Sequence, residues 1–145
     1  MRVVVWITEG TWQSCVDAAA RITPPDADVV LLHVLDTELG EVVHGTYGAL
    51  MGRAGHDPST LMATMADAAE QELLAAAKER FAQPCATAVR AGHVQHEVVA
   101  ACADADLLVC ARDGEHDHPG PASIGHHTRF VVDHAASAVL LVWPG

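Results

Sequence analysis

Val3-Val4-Val5-Trp6-Ile7 is an unbroken apolar run dominated by β-branched residues, and it limits the fold more than any other feature of the chain. A half-exposed strand alternates apolar with polar residues. A strand without that alternation needs cover on both faces, as in a parallel sheet held between two layers of helices. Similar runs recur at Val29–Val34, Asp106–Ala111 and Ala138–Trp143, and a weaker strand is expected over Ala86–Ala91. Five strands are therefore expected.

The segments between the strands carry helical periodicity. Thr11 can cap a first helix in which Trp12, Cys15, Val16, Ala19 and Ile22 share a stripe, and Thr23-Pro24-Pro25 stops it. Ser59 or Thr60 opens a long helix with Met62, Met65, Ala69, Leu73 and Ala76 as its core stripe. Val94–Cys102 predicts a short helix, and His126–His134 predicts a last one that carries Phe130 and Val131 inward. The segment from Thr37 to Pro58, with Gly40, Gly45, Gly48, Gly52 and Gly55, is not assigned a regular structure.

Strands alternating with helices imply parallel pairing through crossovers, and an open sheet of this kind binds its ligand where the strand order reverses. If the order is 3-2-1-4-5, that crevice lies between the first and fourth strands. The flanking loops are then Thr8–Thr11 and Ala111–His126.

Composition narrows the function. The chain has 145 residues, half of them hydrophobic, which is enough core for one domain spanning 1–145. Only 8 Lys plus Arg face 19 Asp plus Glu, a formal net charge of −11, so the basic surface that nucleic acids and anionic membranes need is missing. The apolar run after Arg2 is too short for a signal-peptide core or a membrane span, so a cytoplasmic location is expected. Cys15, Cys85, Cys102 and Cys110 form no CxxC pair and read as buried thiols.

The chemistry concentrates after the fourth strand. From Ala111 the chain reads Ala-Arg-Asp-Gly-Glu-His-Asp-His-Pro-Gly-Pro-Ala-Ser-Ile-Gly-His-His-Thr-Arg-Phe, a glycine-bearing loop that ends at a helix amino terminus. Free N–H groups and the helix dipole suit a phosphate there. Gly114, Gly120 and Gly125 can supply positive φ or close approach of a ligand to the backbone.

The order of elements and the last third of the chain resemble the universal stress protein family. The matching features are Glu9-Gly10-Thr11 at the end of the first strand, His33-Val34 in the second, Gly92 before the third helix, and His134-Ala135 followed by the apolar Val139–Val142. The family's phosphate motif is Gly, two residues, Gly, nine residues, then Gly with Ser or Thr. Here Ala111 stands at the first glycine, ten residues separate Gly114 from Gly125, and His126 replaces the hydroxyl residue, with Thr128 nearby.

The resemblance implies a three-layer open α/β sandwich with a five-stranded parallel sheet of order 3-2-1-4-5, Rossmann-like and of the adenine nucleotide α-hydrolase type. It implies a regulatory, stress-response role, with ATP or AMP (with magnesium) bound weakly or atypically. Glu9 would face the ribose or adenine side, Val34 would border the base, and Gly114, Gly125, His126 and His127 would hold the phosphates, with Gly10, Ala111, Arg112 and Thr128 also in the nucleotide site. Two alternatives stand beside it: a nucleotide-free dimeric interaction module, and a metal site built from His116-Asp117-His118 with His126-His127. Homodimerisation through the fifth strand is expected in either case. No GxSxG elbow, P-loop lysine or placed catalytic Cys is present, so an enzyme is not expected, at most slow ATP hydrolysis.

Overall fold

The structure is a computed structural model that describes residues 1–37 and 58–145, with side chains described from residue 67 onward in the second stretch. Met62 and Met65 of the expected core stripe, and the segment from 38 to 57, lie outside the described residues. Five strands, β1 (Arg2–Trp6), β2 (Asp28–Asp36), β3 (Ala86–Gly92), β4 (Leu107–Ala111) and β5 (Ala138–Val142), alternate with α1 (Trp12–Ile22), α2 (Pro58–Phe81), α3 (Val94–Ala101) and α4 (His126–His134). The sheet order is β3-β2-β1-β4-β5 and every pairing is parallel.

The apolar runs fold as strands because helices cover both faces of the sheet. Val3 and Val5 of β1, with Ile7 just beyond it, join Leu31 of β2 against Val16 and Ala19 of α1 and Leu73, Leu74, Ala77 and Phe81 of α2. Val4 and Trp6 point the other way, with Leu32, Val34 and Cys110, onto Val98 and Cys102 beside α3 and Val131 of α4. Successive residues of one strand thus feed two cores, the arrangement that period-two side-chain alternation makes available to a central strand.

Several sequence expectations shift. The buried stripe of α2 runs through Glu70, Leu73, Leu74, Ala77 and Phe81, while Ala69 is exposed and Ala76 half-buried. Thr11 makes no side-chain cap; its hydroxyl pairs instead with that of Thr8 at 2.7 Å, inside the turn. Phe130 is only half-buried, edge-on to His96 and stacked on His134 at a ring separation of 3.9 Å. Cys15, Cys102 and Cys110 are buried, but Cys85 is half-buried. Burial pushes the Cys15 and Cys110 thiols up to about 12 and Cys102 to about 11, so none is a ready nucleophile.

An ion pair ties α2 to α1. Arg80 donates two 2.7 Å hydrogen bonds to the carboxylate of Asp17 on α1, which holds the Asp17 carboxyl below its ordinary range. Glu70, by contrast, is buried, and desolvation raises its carboxyl pKa, with His33 pulling the other way and Asp67 adding to the rise. A raised folded-state value means the folded chain holds that proton more tightly than the unfolded chain. Stability from Glu70 is then greatest in acid and falls as pH rises from the ordinary carboxylate value through the raised one. Glu70→Gln is expected to raise the thermal midpoint at neutral pH, with the gain vanishing in melts run below the ordinary carboxylate pKa. An unchanged or lower midpoint at neutral pH would contradict it.

Candidate functional site

The strand order reverses between β1 and β4, and their carboxyl ends open a crevice between the turn Thr8–Thr11 and the loop 112–125. On the β1 side Gly10 has φ of +85°, and an added Cβ would meet nothing within 4 Å among the described residues. Glu9 beside it is exposed. His33 of β2 bonds through Nδ1 to the carbonyl of Ile7 at 2.8 Å, which secures the strand end beneath that turn. Val34 is buried in the core with Trp6 and Val131, below the crevice rather than at its surface.

The β4 side is a loop folded on itself. The Gly114 N–H donates to the Ser123 carbonyl at 3.0 Å and the Glu115 N–H to the Ala122 carbonyl at 2.8 Å. A short 3-10 turn, Pro121–Ser123, closes the far end. Ser123 is fully buried; its hydroxyl donates to the Gly120 carbonyl at 2.7 Å and accepts from Arg112 at 2.8 Å. Gly114 is needed for close approach rather than for positive φ, because a Cβ there would overlap the Ala122 carbonyl oxygen.

The loop delivers the chain to α4. Gly125 is the residue before the helix, and the first intrahelical bond runs from the Arg129 N–H to the Gly125 carbonyl at 2.9 Å. By helix geometry the amides of His126, His127 and Thr128 have no intrahelical acceptor, and the dipole adds partial positive charge. The Gly125 N–H is already engaged: it donates to Oδ1 of Asp113 at 2.7 Å. A Cβ on Gly125 would lie 2.8 Å from that same oxygen.

The remaining expected residues spread around this centre. Ala111 is buried at the end of β4. Arg112 turns away, toward Ser123 and over the Trp143 ring at 5.5 Å. His126 is exposed and His127 half-buried. Their rings lie 3.9 Å apart, and His127 Nδ1 bonds Gln95 of α3 at 2.7 Å. Thr128 is buried on the core side of α4 with Val131, so its hydroxyl does not take the place of the motif's missing one. His116 bonds the Arg112 carbonyl at 2.6 Å and leans toward Trp143. Among the described residues no three His, Cys, Asp or Glu side chains come together as a metal site would require.

Sequence reading missed Asp113, Gln95, Ser123 and Arg129, the last of which donates to the Pro121 carbonyl at 2.7 Å. Only Asp113 left a signal, as an acid preceding a glycine at a strand end, where Asp commonly bonds nearby amides. Its partner twelve residues away did not follow from that.

No family model matches this sequence and no curated protein does. Solved structures do. The hypothetical protein MJ0577 aligns over 99% of this chain and 96% of its own at TM-score 0.76 and 14% identity. The universal stress protein UspA from Lactobacillus plantarum aligns over 98% and 97% at TM-score 0.61 and 20% identity. A universal stress protein family member from Arabidopsis thaliana, with AMP bound, aligns over 100% and 92% at TM-score 0.62 and 14% identity. With strand order, parallel register and near-complete coverage in agreement, this chain carries the fold of the universal stress proteins.

Proposed function

We propose that this chain is a regulatory domain that binds an adenine nucleotide in the crevice between β1 and β4. The observation that carries the reading is the first turn of α4, with the amides of His126, His127 and Thr128 at the point where the strand order reverses. Two proteins of the same fold support it, one described in complex with cAMP and one with AMP. In this reading Glu9, which is exposed, would accept sugar hydroxyls, while Val34 supports the crevice from the core beneath it. No step of bond cleavage is assigned, and the role proposed is regulatory.

A thermal-shift titration with AMP, cAMP, ADP and ATP, with and without magnesium, tests the reading. Ligand at about a hundredfold excess over its dissociation constant stabilises by roughly 2.7 kcal/mol, so the midpoint should rise by several degrees. No rise with any nucleotide would favour the second reading, a nucleotide-free interaction module. The observation on that side is the loop's own closure, with the Gly125 amide taken by Asp113.

Homodimerisation through β5 is part of the proposal. The Ala138 N–H bonds the Asp106 carbonyl and the Val142 carbonyl accepts from Arg112, so even-numbered residues of β5 face β4. The peptide groups of Val139 and Leu141 therefore point outward from the sheet, as an edge that a second copy could pair. Val139→Pro removes one outward donor with little change of volume. Sedimentation should show a dimer for the parent chain and a folded monomer for the variant; a monomeric parent would contradict the proposal.

A further inference from the structure

At the head of α4 the loop itself satisfies the Gly125 amide, and it does so with a carboxyl group. Asp113 Oδ1 accepts from the Gly125 N–H at 2.7 Å. Both carboxylate oxygens and Cγ lie within 2.8 to 3.0 Å of the place a Cβ on Gly125 would take, so the whole group rests against the helix start. Nothing neutralises it among the described residues. Arg112, its neighbour in sequence, bonds Ser123 and covers Trp143, and Arg129 is spent on the Pro121 carbonyl. Glu115 and Asp117 add two more acids to the same loop.

We propose that Asp113 is the selectivity determinant of the site: its carboxylate stands where an outer phosphate would bind, so the site accepts an adenine nucleoside monophosphate and rejects the triphosphate. The inference rests on the nucleotide reading above. An anion held on the Gly125 amide removes a donor that a polyphosphate needs. It also sets a like charge, on an exposed carboxylate, beside the β- and γ-phosphates. A monophosphate needs fewer donors and reaches only the remaining amides of α4. The two-strand closure of the loop, Gly114 to Ser123 and Glu115 to Ala122, fixes the backbone that carries Asp113 beside the helix start.

Calorimetric titration of the full chain and two variants with AMP and with metal-free ATP tests the proposal. Asp113→Asn keeps the shape and an oxygen acceptor while removing the charge; Asp113→Ser removes the group. Circular dichroism and the thermal midpoint verify that both variants are folded. The parent chain should bind AMP more tightly than ATP, and both variants should gain at least about tenfold in ATP affinity while AMP changes much less. AMP binding with ATP affinity unmoved in both variants would overturn the role of Asp113 and leave the nucleotide reading standing. No binding of either nucleotide by any of the three proteins would overturn both. A gain in Asp113→Ser alone would overturn the charge argument, since Asn keeps the shape.

Discussion

Gly114→Ala is expected to lower the thermal midpoint and to open the loop after β4. The methyl group would overlap the Ala122 carbonyl oxygen and press on the backbone of Ser123, both held by the hydrogen bonds that close the loop. Backbone on both sides leaves no side chain to swing aside. Overpacking of this kind costs about 1–3 kcal/mol, which in a chain of this size is a drop of roughly 3 to 10 °C. Gly125→Ala is the informative contrast, because the nearest atoms to its added carbon are those at the end of the Asp113 side chain. That carboxylate can rotate away, so the cost should stay within about 1 kcal/mol. Equal melting temperatures for the two variants would show that the loop is not closed as described.

The largest loss of stability should come from Phe81→Ala. Phe81 ends α2 and is 2% exposed, packed into the core that β1, β2 and α1 share. Removing a buried ring of this size costs about 3–5 kcal/mol through lost transfer energy and the cavity left behind. Denaturant unfolding should show a clear fall in midpoint with little change in slope. Phe130→Ala should lose far less, on the order of 1 kcal/mol, because Phe130 is half-buried between His96 and His134 rather than in either core. If the two substitutions cost the same, the assignment of Phe81 to the main core is wrong.

The contrast between these two phenylalanines shows what the sequence carries and what it does not. Val3–Ile7 and Asp106–Ala111 identify central strands because no polar residue interrupts them, and only two-sided cover makes that tolerable. The strand order follows from the family resemblance and the crevice follows from the order, so the neighbourhood of Gly10 and Gly125 is legible in the sequence. Helix faces were harder. In α2 alanines occupy several sides, so Ala69 and Glu70 compete for one stripe, and the packed structure buries the glutamate. Phe130 looked like core by spacing, yet the histidines His96 and His134 give it partners at the surface.

The site's internal wiring was the least legible part, for a physical reason. The contacts of Asp113 with Gly125, Arg112 with Ser123, and His127 with Gln95 join residues twelve, eleven and thirty-two positions apart. No local pattern encodes them. The glycines were expected to bring positive φ or close approach to the loop; Gly114 is needed for the second reason alone, against the Ala122 carbonyl, while Gly125 lies against the movable Asp113 carboxylate. The departures from the family's phosphate motif thus lie within and at both ends of a loop that satisfies much of its own hydrogen bonding.

The central claim is that an adenine nucleotide binds in the crevice between β1 and β4 with its phosphate at the head of α4. Amide chemical-shift mapping of the labelled protein during an AMP titration tests it most directly. The account predicts saturable shifts in two separate segments, Glu9 to Thr11 and Gly125 to Thr128, with β3 unmoved. Shifts confined to other surfaces, or none at millimolar AMP, would contradict it.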